Sequence, residues 1–373
     1  MAPVHVVDEL GVGPIEVGSP SEGLPGVRVR DADDLTAALD RDREVRALVF
    51  AGELDARCAD LPALEVVHAA TIDTDAFLAM GRSKAPLRAI RSTVRGSIGP
   101  RGFAALAEAP AFAKLSVVQL IDPGCGDATR AWFRGPRPVE LRSLELMNRS
   151  VEGCIDGFTA GSAYDLGAAK LGNLEVLDLE NQSLGMGVMS AIARRDGLPR
   201  LRRLGLAGTR TSSYLRFIMQ RHVPQLHALD LHRVFLAVDE LRHVGRELAP
   251  RLERLRLHAL GDAGAAQLAG MTMPRLRELR LDCCELHGVE WLSTAEWSPT
   301  TLDLSWNFLD DDAIGSLRSP TLQRLALAHN PVTEDGVSAM LEHLPALTHL
   351  ELSLASDALE KRHPKITFVS RPR

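Results

Sequence analysis

The hexamer Leu-x-x-Leu-x-Leu returns throughout the second half of the chain, and no other feature constrains the fold as tightly. It reads LEVLDL from Leu174, LRRLGL from Leu201, LHALDL from Leu226, LERLRL from Leu252, LRELRL from Leu276, LQRLAL from Leu322 and LTHLEL from Leu347. Pro299 takes the first slot of one more copy, completed by Leu302 and Leu304. The middle leucines are Leu177, Leu204, Leu229, Leu255, Leu279, Leu302, Leu325 and Leu350, spaced 23 to 27 residues apart. Leu-x-Leu has the period of a short strand with one buried and one solvent-facing side. A repeat of this size cannot close a core alone. Stacked on copies of itself it buries a continuous one, so the period dictates a solenoid.

The segment after each strand completes the coil. SYLRFIMQRHV from Ser213, AVDELRHVGREL from Ala237 and EDGVSAMLEHL from Glu334 carry apolar residues at helical spacings. Asp239 and Thr333 are the expected N-caps of the latter two, and Asp310, Asp311 and Asp312 suit the positive end of a helix after Leu309. Asn307 and Asn330 stand at a fixed slot after their strands, where an amide can bond backbone groups of the neighbouring coil. In other copies that slot holds Gln182, Thr209, Val234, Leu260 and Cys284, so the asparagine ladder is interrupted. On these residues the chain resembles the leucine-rich repeat family, nearest the ribonuclease-inhibitor-like subclass and its bacterial cytosolic members. The resemblance implies an α/β fold: a right-handed leucine-rich repeat solenoid, or horseshoe, with parallel strands on the concave face and helices on the convex face.

Upstream the frame weakens. LRSLEL from Leu141 is regular; LSVVQL, LRAIRS, LEVVHA, VRALVF and LPGVRV, from Leu115, Leu87, Leu64, Val45 and Leu24, are degenerate. The expected organisation is an N-terminal cap over 1–23, degenerate repeats over 24–140, regular repeats over 141–352 with an insertion around 148–172, and a C-terminal cap over 353–373. Ile366 and Phe368 mark a last short strand.

Charge and cysteine usage narrow the function classes. A net charge of −6 supplies no general attraction to nucleic acid. Along the strand face Arg203, Arg254, Arg256, Arg280 and Arg324 alternate with Asp230, Glu278, Asp282, Asp303 and Glu351. That pattern gives cross-strand ion pairs rather than the unbroken basic stripe of a nucleic-acid binder. No apolar run is long enough for a membrane span, and the N-terminal sequence lacks the pattern of a secretory signal. Five cysteines without C-x-x-C spacing fit a reducing cytoplasm and neither a disulfide framework nor a zinc site. Cys154-Ile155-Asp156 resembles the Cys-x-Asp core of bacterial ubiquitin ligases. Cys58-Ala59-Asp60 matches as well, however, and no segment is long enough for their helical catalytic domain. The glycine clusters do not have the spacing or the strand–helix context of a phosphate-binding loop.

One row stands out, the position directly after each strand frame: His232, His258, Asp282 and Ser305. It is not a hydrolase triad, because Asp282 falls between Ser305 and His258. His232, His258 and Asp282 could serve a metal-dependent enzyme only if side chains starting about 9–10 Å apart converged on one ion. The expectation is therefore no catalytic residue, no cofactor and no metal, but a non-enzymatic scaffold that binds another protein. The binding surface is placed on the concave side at Trp306, with His329, Asp282, His258, His232, Arg233, Arg256 and Arg280 around it. Regulation of a GTPase or another nucleotide hydrolase is the alternative within the same fold.

Overall fold

The computed structural model describes residues 26–30, 32–40, 45–124, 126–136, 140–148, 159–182, 184, 189, 198–209, 212–218, 221–353 and 357–371. The chain forms two compact units, Met1–Leu201 and Arg202–Arg373. The expected N-terminal cap over 1–23 and residues 149–158 of the insertion lie outside the described residues; the rest of the insertion holds the helix Ala160–Ala168.

The first unit carries β1 (Gly26–Val29), β2 (Ala47–Glu53), β3 (Val66–Thr71), β4 (Ala89–Arg95), β5 (Val117–Ile121), β6 (Ser143–Met147) and β7 (Val176–Asp178). Each pairs in parallel with its successor. The degenerate frame keeps its register because Val and Ile substitute for leucine. Leu48, Val67, Ile90, Val118, Leu144 and Leu177 stand opposite one another, all but fully buried. The other side of these strands is apolar too: Ala47, Val66, Ala89 and Val117 form a second buried row. That double-sided burial is why the leucine alternation fades here. At its margin the buried Glu65 pairs with Arg46 and Arg88 from the two adjacent coils.

The second unit carries β8 (Arg203–Gly205), β9 (Ala228–Asp230), β10 (Arg254–Arg256), β11 (Glu278–Arg280), β12 (Thr301–Asp303), β13 (Arg324–Ala326), β14 (His349–Leu352) and β15 (Thr367–Ser370), again parallel and in sequence order. The middle leucines from Leu204 to Leu350 stack in register, none more than 2 % exposed. Phe368 extends that row on β15, the expected last strand. The residue before each middle leucine is Arg203, Arg254, Glu278 or Arg324 in four of these strands, so this strand face is polar where the first unit's is apolar.

Helices return the chain from one strand to the next, among them Thr74–Arg82, Gly99–Glu108, Val238–Glu247, Gly261–Ala269 and Glu334–Leu341. Thr333 caps its helix as expected, its hydroxyl accepting from Gly336 N at 3.2 Å. Asp310 caps the turn Asp311–Gly315, accepting from Ala313 N at 2.9 Å. Asp239 is not a cap. Its helix begins one residue earlier, with extended Ala237 at the N-cap, and Asp239 lies in the first turn beside Arg242 at 3.5 Å. There it still complements the helix dipole. The segment from Ser213, expected to be helical throughout, forms a 3₁₀ helix over Ser212–Phe217.

The asparagine slot joins coil to coil. The Asn307 Nδ2 group donates to Leu281 O at 2.8 Å in the preceding coil and to Leu304 O at 2.8 Å in its own. Its Oδ1 accepts from Cys284 N and Leu286 N, each at 3.0 Å. Asn330 repeats the pattern, donating to Leu304 O at 2.8 Å and accepting from Leu309 N at 3.1 Å. Other residues do part of the work: Gln182 donates to Leu146 O at 2.9 Å and the Cys284 thiol to Leu257 O at 3.6 Å. Each of these interstrand acceptors is the last leucine of the preceding frame. Thr209 bonds Leu206 O in its own coil, 2.6 Å away, and the buried Val234 fills space.

Candidate functional site

In the second unit the residue before the asparagine slot has left-handed backbone in six consecutive coils. Gly208, Arg233, Ala259, Cys283, Trp306 and His329 all have φ between 48° and 65°. Five of the six are not glycine, although this region is disfavoured for residues with a Cβ. The neighbouring coils impose it: Cys283 N donates to Ser305 O at 3.1 Å, Trp306 N to Ala328 O at 2.9 Å and Ala259 N to Cys283 O at 3.1 Å. The chain turns outward at this column, and that corrects the sequence expectation for the row just before it. His232, His258, Asp282 and Ser305 are not the outermost side chains. Ser305 is wholly buried and Asp282 is 8 % exposed, with the histidines only partly accessible.

Beneath the column, Arg256 organises the polar side chains. Its Nε and Nη2 donate to the two oxygens of Asp282 at 2.9 and 2.7 Å, and Asp230 lies 3.6 Å away on the other side. His232 Nδ1 stands 3.4 Å from Asp282 Oδ2, and the His232 and His258 rings meet edge to face at 4.9 Å. The cation held by this row is therefore a guanidinium. With both Asp282 oxygens engaged by Arg256, the carboxylate is not free to join two imidazoles on a metal, and among the described residues no other group of three such side chains is placed to do so. Arg280 belongs to a different pair, with Glu278 at 2.6 Å.

The half-buried His232 makes this cluster acid-sensitive. Burial foremost, and then the Arg256 charge, hold the His232 imidazole at about 4 against an ordinary 6.5. As pH falls through 6.5 the unfolded chain takes up a proton that the folded one refuses. Stability therefore falls with pH from 6.5 to about 4 and then levels off for this group. For Asp282 burial acts to raise the carboxyl, but Arg256 outweighs it and holds the group below its usual range. That contribution is present above the ordinary carboxylate pKa and is lost on acidification through the folded value. The His232 shift corresponds to a loss on the order of 3 kcal/mol across its window. Denaturant midpoints followed against pH check it: His232→Gln flattens the upper part of the acid limb and leaves the carboxylate part. Parallel curves for parent and variant would refute the assignment.

Above the cluster the exposed side chains are aromatic. Trp306 is 53 % exposed and stacks on His329, ring centroids 3.7 Å apart and planes 24° from parallel. Phe308, also exposed, stacks on His287 at 5.1 Å, and exposed Phe235 meets His258 at 5.7 Å. Arg233 is exposed on the same column. The structure thus brings His232, His258, Asp282 and Arg256 into one cluster and Trp306 and His329 into one stack. The sequence expectation included neither Phe308 nor Phe235 in the binding surface. Both stand four residues after the last leucine of their frames, Leu304 and Leu231, a recurrence visible once the copies are aligned. The Cys-x-Asp match at Cys58 is structural: the thiol is buried 3.1 Å from Met80 Sδ. Burial, and after it the Asp55 charge, pushes the thiol up to about 12, so it is not a nucleophile near neutrality. Cys154 lies outside the described residues.

In-register leucine strands, return helices and side-chain bridges between coils give this chain the fold of a leucine-rich repeat solenoid. A sequence model of the family described as "Leucine Rich repeat" matches residues 318–341, a stretch that holds β13 and the helix Glu334–Leu341. Among curated proteins none matches the chain in sequence. In fold it is similar to a chain of the Rad7 and Elc1 complex of yeast, with TM-score 0.52 and 16% identity over 91% of this chain and 87% of that one. It is similar also to a leucine-rich repeat protein of Leptospira interrogans (TM-score 0.44, 16% identity, 92% and 88% covered). A third likeness is to a chain of the mouse RP105/MD-1 complex (TM-score 0.40, 17% identity, 88% and 67% covered).

Proposed function

We propose that the chain is a non-enzymatic scaffold that holds a protein partner on the strand side of its second unit, with Trp306 as the anchor. The observation that carries this reading is the half-exposed indole on left-handed backbone fixed by interstrand hydrogen bonds. A tryptophan there fills no core, and leaving so large an apolar ring in water is unfavourable unless a partner covers it. His329, His258, His232, Arg233, Arg256, Arg280 and Asp282 form the surrounding polar set. They act in two ways: Arg233 and His329 by contact, Arg256 and Asp282 by holding the strand edge in shape. The yeast chain similar in fold was solved as part of a complex of Rad7 and Elc1, which agrees with a binding role. Helices on the return path of most coils favour the ribonuclease-inhibitor-like subclass, as in bacterial cytosolic members. The described cysteines, Cys58, Cys283 and Cys284, are free thiols, which favours the cytoplasm.

Affinity capture with identification of the retained protein, and then titration of that protein against variants, tests the reading. Trp306→Ala should weaken binding by about 2 kcal/mol with the thermal midpoint unchanged. Undiminished affinity would move the anchor elsewhere.

A further inference from the structure

The two flanks of Trp306 differ. His329 covers one ring face. On the other flank the next members of the left-handed column are Cys283 and Ala259, both small, and then Arg233. With coils about 4.8 Å apart, two short side chains in succession leave a notch roughly 10 Å wide beside the open face of the indole. Its far wall is Phe235 with His258, and Phe308 extends its near wall.

The surroundings of this notch are strongly acidic. Asp262, Glu285, Asp310 and Asp312 are exposed in the loops and first helical turns that follow Ala259, Cys283 and Trp306, with Glu334 and Asp335 in the next coil beyond Trp306, against the single exposed Arg233 on the column; His287 stands 3.5 Å from Asp262 and Arg362 3.9 Å from Asp335. His232 and His258 add no positive charge near neutrality, because burial holds both imidazoles below their usual range. Glu285 is itself fixed in left-handed backbone, two residues beyond Cys283 on the notch floor. An aromatic face next to carboxylates attracts a cation twice, through the ring quadrupole and through charge. The same rim repels phosphate, which disfavours nucleic acid and anionic membranes.

We propose that the notch receives a basic segment of a protein partner, with an arginine or lysine side chain laid on the open face of Trp306 and the acidic rim bordering the segment. This rests on Trp306 as anchor. Arg233 on the far wall orients the segment by repelling its cation toward the indole.

A displayed library of random linear peptides, selected on the full chain, tests it. Clones that lose binding to Trp306→Ala should be rich in arginine and lysine and should weaken as salt is raised. They should also weaken about tenfold or more toward the combined variant Glu285→Gln, Asp312→Asn, Glu334→Gln, which leaves the caps Asp310 and Thr333 in place. Acidic or uncharged clones that depend on Trp306 would overturn the cation assignment while keeping the anchor. Basic clones indifferent to Trp306→Ala, or no Trp306-dependent clone at all, would overturn the site. A second measurement needs no peptide. Of the four tryptophans, Trp132, Trp291 and Trp297 are at most 7 % exposed, so Trp306 dominates collisional quenching. With each ion's quenching constant scaled to that of free N-acetyltryptophanamide, caesium should quench relatively better than iodide, and the difference should vanish in Trp306→Phe. A scaled iodide constant equal to or above the scaled caesium constant would mean that the indole has no acidic rim, and would overturn the proposal.

Discussion

Asn307→Ala lowers the unfolding free energy by about 3–5 kcal/mol, because one amide serves two buried N–H donors and three carbonyls across two coils. Alanine leaves Cys284 N and Leu286 N without their acceptor in a place where Cys284, Leu286 and Asn307 are all buried. Asn307→Asp turns the donor half of the bridge into a carboxylate oxygen facing the carbonyls of Leu281 and Leu304 in a buried site, so at neutral pH its cost should exceed alanine's. Asn330→Ala should cost less, since Asn330 is half-exposed and water can replace part of its bonding. Urea unfolding of the three variants orders them. An Asn307→Ala protein as stable as its parent would mean that the coils are held by strand pairing and leucines alone.

Asp282→Ala should cost about 3 kcal/mol, by leaving the Arg256 guanidinium without its bidentate acceptor on a largely covered strand face. Asp230, 3.6 Å away, softens the loss without replacing the geometry. Asp282→Leu combined with Arg256→Met removes the unpaired charge and should recover most of the stability, because pairing offsets desolvation rather than adding greatly to it. A double-mutant cycle on denaturant midpoints measures this. A double variant no more stable than Asp282→Ala would show that the pair contributes net stability of its own.

The leucine frame announced the strands of the second unit because one strand side is buried and the other polar, which is the condition for a clean alternation. In the first unit Ala47, Val66, Ala89 and Val117 are buried on the opposite side as well, so the alternation blurs although the register persists. Asn307 and Thr333 were legible because their roles follow from short-range geometry. Asp239 was misplaced by one residue beyond the helix start, since Ala237 enters the helix without a side-chain cap. The burial of Asp282 and Ser305 was not legible at all. It depends on where the chain turns outward, and a left-handed residue that is tryptophan, cysteine, histidine or arginine carries none of the glycine signal that usually marks such a turn.

The left-handed column also matters for engineering. Glycine, arginine, alanine, cysteine, tryptophan and histidine occupy it interchangeably, so the torsion is a property of the coil and the side chain is cargo. Randomising 233, 259, 283, 306 and 329 while omitting β-branched residues, which tolerate positive φ worst, would vary the recognition surface with the leucine core and the amide bridges untouched. The second unit is in this sense a rail with replaceable fittings, and new specificities could be selected on it without redesigning the fold.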